Sequence, residues 1–222
     1  QGFHDAATVH FIEASPSLRA KQAELLPDAV WHDDVGSLPD APLFLIANEF
    51  FDALPIRQFT RDADGWREHM VGLTAGALAL GLSQPAPIEA LEHRLDDTPL
   101  GAVVEICPAL PAITGVIAEV IETHGGAALI IDYGDWQSKG DTFQALSNHQ
   151  MVDPFTAPGQ ADLTAHVDFA AIANAAKFHS AMTPQGVFLE RLGITARAQA
   201  LAKGLTGDAL TTHIAAHKRL TH

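Results

Sequence analysis

Residues 43–59, LFLIANEFFDALPIRQF, restrict what this chain can fold into more than any other stretch. Leu43 to Ala47 is an unbroken apolar run the length of one strand. It gives way at once to Asn48, Glu49 and Asp52, set around Phe50 and Phe51. A buried strand that ends in carboxylates is how an α/β sheet presents polar groups at its carboxyl edge, where open doubly wound folds bind ligands. Pro55 stops a long helix from following. A strand end with solvated acids and packed aromatics has the same pattern, because position within a fold class is only an analogy.

The rest of the chain reads as an α/β core with an antiparallel interruption. His10 to Ile12 is a short strand ending at Glu13, and Ser15 and Pro16 suit the cap and first turn of the helix after it. Trp31 to Val35 is the next strand-to-loop passage. Ile56–Thr60, Trp66–Leu73 and Leu78–Leu82 then read as three strands joined by turns at Asp64-Gly65 and Ala75-Gly76, and Pro85 and Pro87 close the meander. Ile113, Val116, Ile117, Val120 and Ile121 share one helical face, and Gly125-Gly126 ends that helix. Ala127 to Ile131 is a second buried strand, terminating in Asp132, Tyr133 and Gly134. Trp136 to His166 shows little periodicity and is too long for an idle connection, so it is expected to be either functional or disordered. Asp168 caps a helix with Phe169, Ile172, Ala173 and Ala176 on one face, and two short helices finish the chain.

Composition bounds the function. The chain has 222 residues, 47% hydrophobic, with mean hydropathy +0.10, enough for one sizeable core. No apolar run approaches the roughly 20 residues of a membrane helix, so no membrane insertion is expected. A net charge of −14 argues against a nucleic-acid partner; taken alone it suits the approach of a basic peptide no better than it suits simple solubility. The single cysteine, Cys107, excludes an internal disulfide and a cysteine zinc site and fits a reducing compartment. His213 and His217 have the i, i+4 spacing of paired metal ligands, but no glutamate or third ligand accompanies them. They read as a solvated helix face, and no metal is expected.

Four ordered segments carry a family resemblance. NEFFDALPIRQF resembles the signature of the MidA family, S-adenosylmethionine-dependent methyltransferases that include the mitochondrial complex I assembly arginine methyltransferase. HFIEASPSLRAKQ from His10, ALIIDYGD from Ala128 and DTFQALSNHQMVDPFTAPGQADLTAHVDF from Asp141 match in the same order. FLERLGI from Phe188, followed by an arginine-containing helix, also fits. The resemblance implies a class I, Rossmann-like methyltransferase fold with an inserted meander. Residues 1–55 would be a partial methyltransferase core and 56–87 the insertion. Residues 88–222 would be the remainder of the core, with a long substrate-side loop and C-terminal helices. The cofactor implied is S-adenosylmethionine, the partner a protein carrying the target arginine, such as a respiratory complex I subunit. The location implied is the mitochondrial matrix or a bacterial cytoplasm.

Nucleotide-type sites on such sheets need a glycine-rich turn after the first strand, with an acidic residue about 20 positions on for the ribose. Glu13 suits that acid, yet no Gly-x-Gly cluster occurs in the chain. The N-terminal part of the fold is therefore expected to lie upstream of Gln1, with the chain alone inactive. Asp33 or Asp34 would contact the adenine amine, and Asn48 would either bind the amino-acid end of the cofactor or satisfy backbone at the strand terminus. Methyl transfer needs chiefly alignment, and an arginine acceptor needs carboxylates to pair with its planar fork. Glu49 and Asp52 would be that pair, the alternative being that Asp52 caps a short turn and only Glu49 faces the site. His149 would orient the acceptor or manage its proton, although Ser147 and Gln150 stand where relatives have basic residues. Asp132 and Tyr133 either line the sheet edge or serve as a turn acid and a packed ring. Two rivals remain: a non-catalytic assembly factor with this fold, and a nicotinamide-dependent oxidoreductase, whose ribose Glu13 would also suit.

Overall fold

Parallel strand pairs frame the chain in the computed structural model, which describes residues 2–137 and 139–221. Helix α1 (Gly2–Ala6) precedes β1 (His10–Ile12), α2 (Pro16–Leu25) and β2 (Val30–His32), and β1 and β2 pair in parallel. Ser15 caps α2, accepting from the Leu18 N–H, with Pro16 in the first turn. A 3-10 turn over Val35–Ser37 leads to β3 (Leu43–Asn48).

An antiparallel sheet follows. It consists of β4 (Arg57–Asp62), β5 (Gly65–Thr74), β6 (Ala77–Leu82) and β7 (Val103–Ile106), in the order β6-β5-β4-β7. The three strands expected from the turn signals are present within a residue or two. The fourth, β7, pairs with β4 from beyond Pro87, a non-local partner that local pattern does not reveal. Phe59, Trp66, Leu91 and Val104 form its own small core.

Helix α3 (Leu110–His124) then returns the chain to β8 (Gly126–Ile131), which pairs in parallel with β3 from Leu43–Gly126 to Asn48–Ile131. Gly125 ends α3 with φ 82°, its N–H reaching the Ile121 carbonyl at 2.9 Å. Gly126, at φ 122°, lies so close to β3 that a Cβ there would sit 1.9 Å from the Leu43 carbonyl oxygen. The apolar run of β3 is buried on one face only. Ala47 is buried and Leu43 and Leu45 pack against the core of Phe51, Leu110, Ile117 and Ile172, whereas Phe44 and Ile46 are 73% and 74% exposed. An unbroken apolar run suggests two covered faces. Among the described residues only one is covered.

The segment expected to be irregular holds short strands instead. After β9 (Gly134–Asp135) come β10 (Gln144–Ser147), β11 (Gln150–Val152) and β12 (Asp162–Thr164), an antiparallel set in the order β11-β10-β12. Then β13 (Val167–Asp168) pairs with β9 in parallel. Alternating Gly, Pro and Asp hid strands of two to four residues. Asp168 caps α4 (Phe169–Ala176), accepting from the Ala171 N–H at 3.0 Å.

Residues 179–222 form a separate compact unit. It contains three helices rather than two: α5 (Gln185–Arg191), α6 (Ile194–Ala202) and α7 (Gly207–Thr221). His213 donates to the Ala198 carbonyl at 2.9 Å and His217 lies 2.9 Å from the Thr195 hydroxyl, so both hold α7 to α6.

Candidate functional site

The in-register parallel pairing of β3 and β8 brings two acidic turns together. Because Asn48 stands opposite Ile131, the chain past β3 (Glu49 to Asp52) meets the chain past β8 (Asp132, Tyr133), and the Glu49 N–H reaches the Ile131 carbonyl at 2.9 Å. Asp132 is the clamp. Its Oδ2 accepts the N–H groups of Phe51 (3.0 Å) and Asp52 (3.3 Å), while its Oδ1 accepts that of Tyr133 (2.9 Å). The Tyr133 hydroxyl donates to Glu49 Oε1 at 2.9 Å. Glu49 has φ 50°, a left-handed backbone that non-glycine residues seldom adopt and that often marks functional turns.

Asp52 is the unsatisfied acid of this turn. It is 5% exposed, and its Oδ1 has no hydrogen-bond partner. Burial pushes its carboxyl up to about 6, helped by the negative fields of Asp132 and Glu49 and, more weakly, Asp162. Burial also raises Asp132, against the backbone N–H groups it accepts, and Tyr133 is raised first by its bond to Glu49. A buried carboxylate among like charges with a free oxygen is costly unless a cation joins it. The geometry fits a planar cation with several N–H donors.

The ends of β1 and β2 gather a second set of acids. Glu13 is half-buried, accepting from the Ser15 N–H at 2.8 Å and from Gln22 Nε2 at 3.4 Å. The Arg19 guanidinium ties both strand ends, donating to the Glu13 carbonyl and, at 2.8 Å, to the His32 carbonyl. It also pairs with the exposed Asp33 at 2.6 Å. Asp34 accepts from the Gly36 N–H at 2.8 Å and caps the 3-10 turn. A carboxylate has about four acceptor sites, so Glu13 keeps room for ribose hydroxyls beyond its two local donors. These residues therefore fit a nucleoside cofactor. Asp34 also caps its own turn and Asp33 also pairs with Arg19, each with acceptor sites to spare.

Sequence reasoning named Glu49 and Asp52, and the structure brings them together. Asn48 is exposed at the end of β3 beside them. His149 sits elsewhere, exposed at the tip of the β10–β11 hairpin, where it and Asn148 adopt φ 61° and 52° between the paired Ser147 and Gln150. Asp132 as clamp and Tyr133 as a partner of Glu49 were not assigned from sequence. Their signal was the ALIIDYGD segment, a strand ending in an acid like that of β3.

Parallel strand pairs with carboxylates gathered beyond their ends define a mixed α/β protein with a ligand site at its strand ends. Residues 1–188 match the family described as "Putative S-adenosyl-L-methionine-dependent methyltransferase", and the chain belongs to that family. Over 225 residues it is 35% identical to the mitochondrial protein arginine methyltransferase NDUFAF7 of Xenopus laevis, covering 87% of this chain and 51% of that protein. Against the human NDUFAF7 it is 37% identical, with 77% and 40% covered. A crystal structure of a Burkholderia thailandensis protein bound to S-adenosyl-homocysteine superposes with TM-score 0.76 at 28% identity, covering 96% of this chain and 59% of that one. The chain spans about half the length of the curated relatives it matches.

Proposed function

We propose that this chain carries the acceptor site of an S-adenosylmethionine-dependent methyltransferase that modifies a protein arginine. The buried, unpartnered Oδ1 of Asp52 is the observation that carries the reading. Glu49 and Asp52 would grip the guanidinium, with Asp132 fixing their turn and Tyr133 steering Glu49. The cofactor supplies, when bound, a methyl group already activated on a sulfonium. Two carboxylates drawing the guanidinium charge toward one side leave the opposite nitrogen the better nucleophile. Asp52 would receive the proton that nitrogen sheds. Glu13, Asp33 or Asp34, and Asn48 would hold the cofactor, and His149 would meet the acceptor protein from its hairpin tip.

The finer architecture belongs to the same reading. The β1–β2 and β3–β8 pairs would be parts of one Rossmann-like sheet, with residues 56–87 as an antiparallel insertion whose sheet β7 completes from beyond Pro87, and with residues 1–55 and 88–178 supplying the core. A respiratory complex I subunit, as the family resemblance implies, is the first substrate to try. Relatives named as mitochondrial, together with the lone Cys107, support a mitochondrial matrix or bacterial cytoplasmic location. Among the described residues no helix is long and apolar enough to cross a membrane. The test is transfer of a tritiated methyl group to proteins of an extract lacking the enzyme, followed by amino-acid analysis. Label on arginine is expected. Label on lysine, glutamine or a small molecule ends the arginine assignment, and no label from a preparation that binds cofactor favours an assembly factor.

A further inference from the structure

The stretch 165–167 is bonded to both halves of the acidic turn. The Ala165 N–H donates to the Asp52 carbonyl at 3.0 Å, and the Val167 N–H donates to the Tyr133 carbonyl at 2.8 Å. One short piece of chain therefore spans the segment past β3 and the segment past β8. The His166 N–H, between these two donors, goes instead to the Thr142 hydroxyl at 2.9 Å. Ala165 and Val167 are buried. A Cβ on Gly134 of β9 would lie 2.1 Å from the Val167 carbonyl oxygen, so the stretch is packed tightly on that side as well.

A buried carboxylate anchors the far side of this strap. In the β10–β12 pair Gln144 stands opposite Thr164, and the same register carried two residues further sets Thr142 against His166. There a side-chain hydroxyl takes the His166 N–H. Thr142 in turn donates its hydroxyl and, at 2.9 Å, its N–H to Glu105 of β7. Glu105 is 4% exposed and stands opposite Gln58 of β4, whose amide donates to it at 2.9 Å and to Asp141 at 2.6 Å. None of these donors to Glu105 is a cation. A carboxylate buried on such terms is costly where an apolar side chain would pack, so stability alone is a poor reason for its presence. The charges felt at Asp52 are those of Asp132, Glu49 and Asp162, so Glu105 reaches Asp52 through the chain of bonds rather than through its field.

We propose that Glu105 is a positioning residue for the acceptor site: through Thr142 and the 165–167 strap it fixes the Asp52 turn against the Tyr133 turn, and with them the gap between the two carboxylates. The ligand in this inference rests on the arginine reading above. A guanidinium presents its N–H groups at fixed spacing, so a gap that drifts loses one of the two contacts. The antiparallel sheet, through β7, thereby takes part in recognition.

The test reads two quantities on the full chain: the titration midpoint of Asp52 by carboxyl-carbon NMR, and the anisotropy of a fluorescein-labelled peptide carrying one arginine. Thr142→Val removes the bridging hydroxyl at nearly constant size, and Thr142→Ser keeps it. Thr142→Val should let water reach Asp52 and lower its midpoint from about 6 toward the ordinary carboxylate range. It should also weaken the arginine peptide about tenfold, as the loss of a preorganised site warrants. Glu105→Gln should act in the same direction, and Thr142→Ser should restore both readouts. Val104→Ala, which hollows the small core beside Glu105 on β7, controls for lost stability: it should lower the melting temperature and leave the Asp52 midpoint in place. A midpoint that Thr142→Val leaves unchanged, or that Val104→Ala lowers as much, overturns the proposal. If a lysine peptide binds the unaltered chain as tightly as the arginine peptide, the arginine reading falls. The lowered midpoint and its rescue by serine would then still uphold the positioning of Asp52 by Glu105.

Discussion

The two acidic strand ends of this molecule are built from the same pattern and finished differently. At the ends of β1 and β2, Glu13, Asp33 and Asp34 each have a local partner: the Ser15 N–H, Arg19 and the Gly36 N–H. At the ends of β3 and β8, Asp132 is likewise engaged by backbone, but Asp52 is buried with a free oxygen and with carboxylates as its neighbours. Ordered, satisfied acids suit a site that recognises neutral hydroxyls and amines by hydrogen bonding. An unsatisfied buried acid suits a site waiting for positive charge. On the proposed reading, this contrast, more than the presence of acids, would separate a cofactor side from an acceptor side.

The largest effect should come from removing the charge that makes the difference. Asp52→Asn should lower methyl transfer to an arginine substrate by about a hundredfold, measured as kcat at saturating cofactor, with cofactor affinity little changed. The same change should stabilise the fold. Folding raises the Asp52 carboxyl from 3.8 to about 6, so the protonated form is favoured in the native state. The associated loss of stability is absent below about pH 4, grows as pH rises toward 6 and is complete above it. Urea melts at pH 7 should show the variant more stable by no more than about 3 kcal/mol, and the gain should fade by pH 4. A variant that loses both stability and activity would make Asp52 a structural residue, and the contrast between the two ends would collapse.

On the other side, Glu13→Ala should weaken cofactor binding by about 1.5–3 kcal/mol in calorimetry, the worth of charge-assisted hydrogen bonds, and Glu49→Gln should leave it nearly unchanged. Equal effects of the two substitutions would mean that the ends are not functionally distinct. The smallest change is Tyr133→Phe. It removes the 2.9 Å bond to Glu49, and the rate should fall only several-fold, consistent with about 1 kcal/mol for one exposed hydrogen bond.

Much of this was legible in the sequence because it is local. Turn residues marked both hairpin turns of the meander, Asp168 marked its helix start, Gly125 marked the end of α3, and acids after apolar runs marked the strand ends. What was not legible depends on partners distant in the chain. Glu105 reads as an odd acid in VVEI, yet it is buried, accepting from Gln58 Nε2 and from the Thr142 N–H, both at 2.9 Å. Thr142 in turn accepts from the His166 N–H, so β7 is tied to the chain beside the acceptor turn. Likewise Asp132 and Asp52 are both strand-end acids in the sequence, and only folding shows that one clamps the backbone while the other is left open. The bare face of Phe44 and Ile46 is a further case, since an apolar run does not say which face is covered.

The most direct test is the titration of Asp52 itself, followed by carboxyl-carbon NMR with an arginine peptide absent and then saturating. The account predicts a midpoint near 6 for the free protein and a clear fall when the guanidinium binds. A midpoint in the ordinary carboxylate range without peptide, or one that the peptide leaves in place, would contradict it.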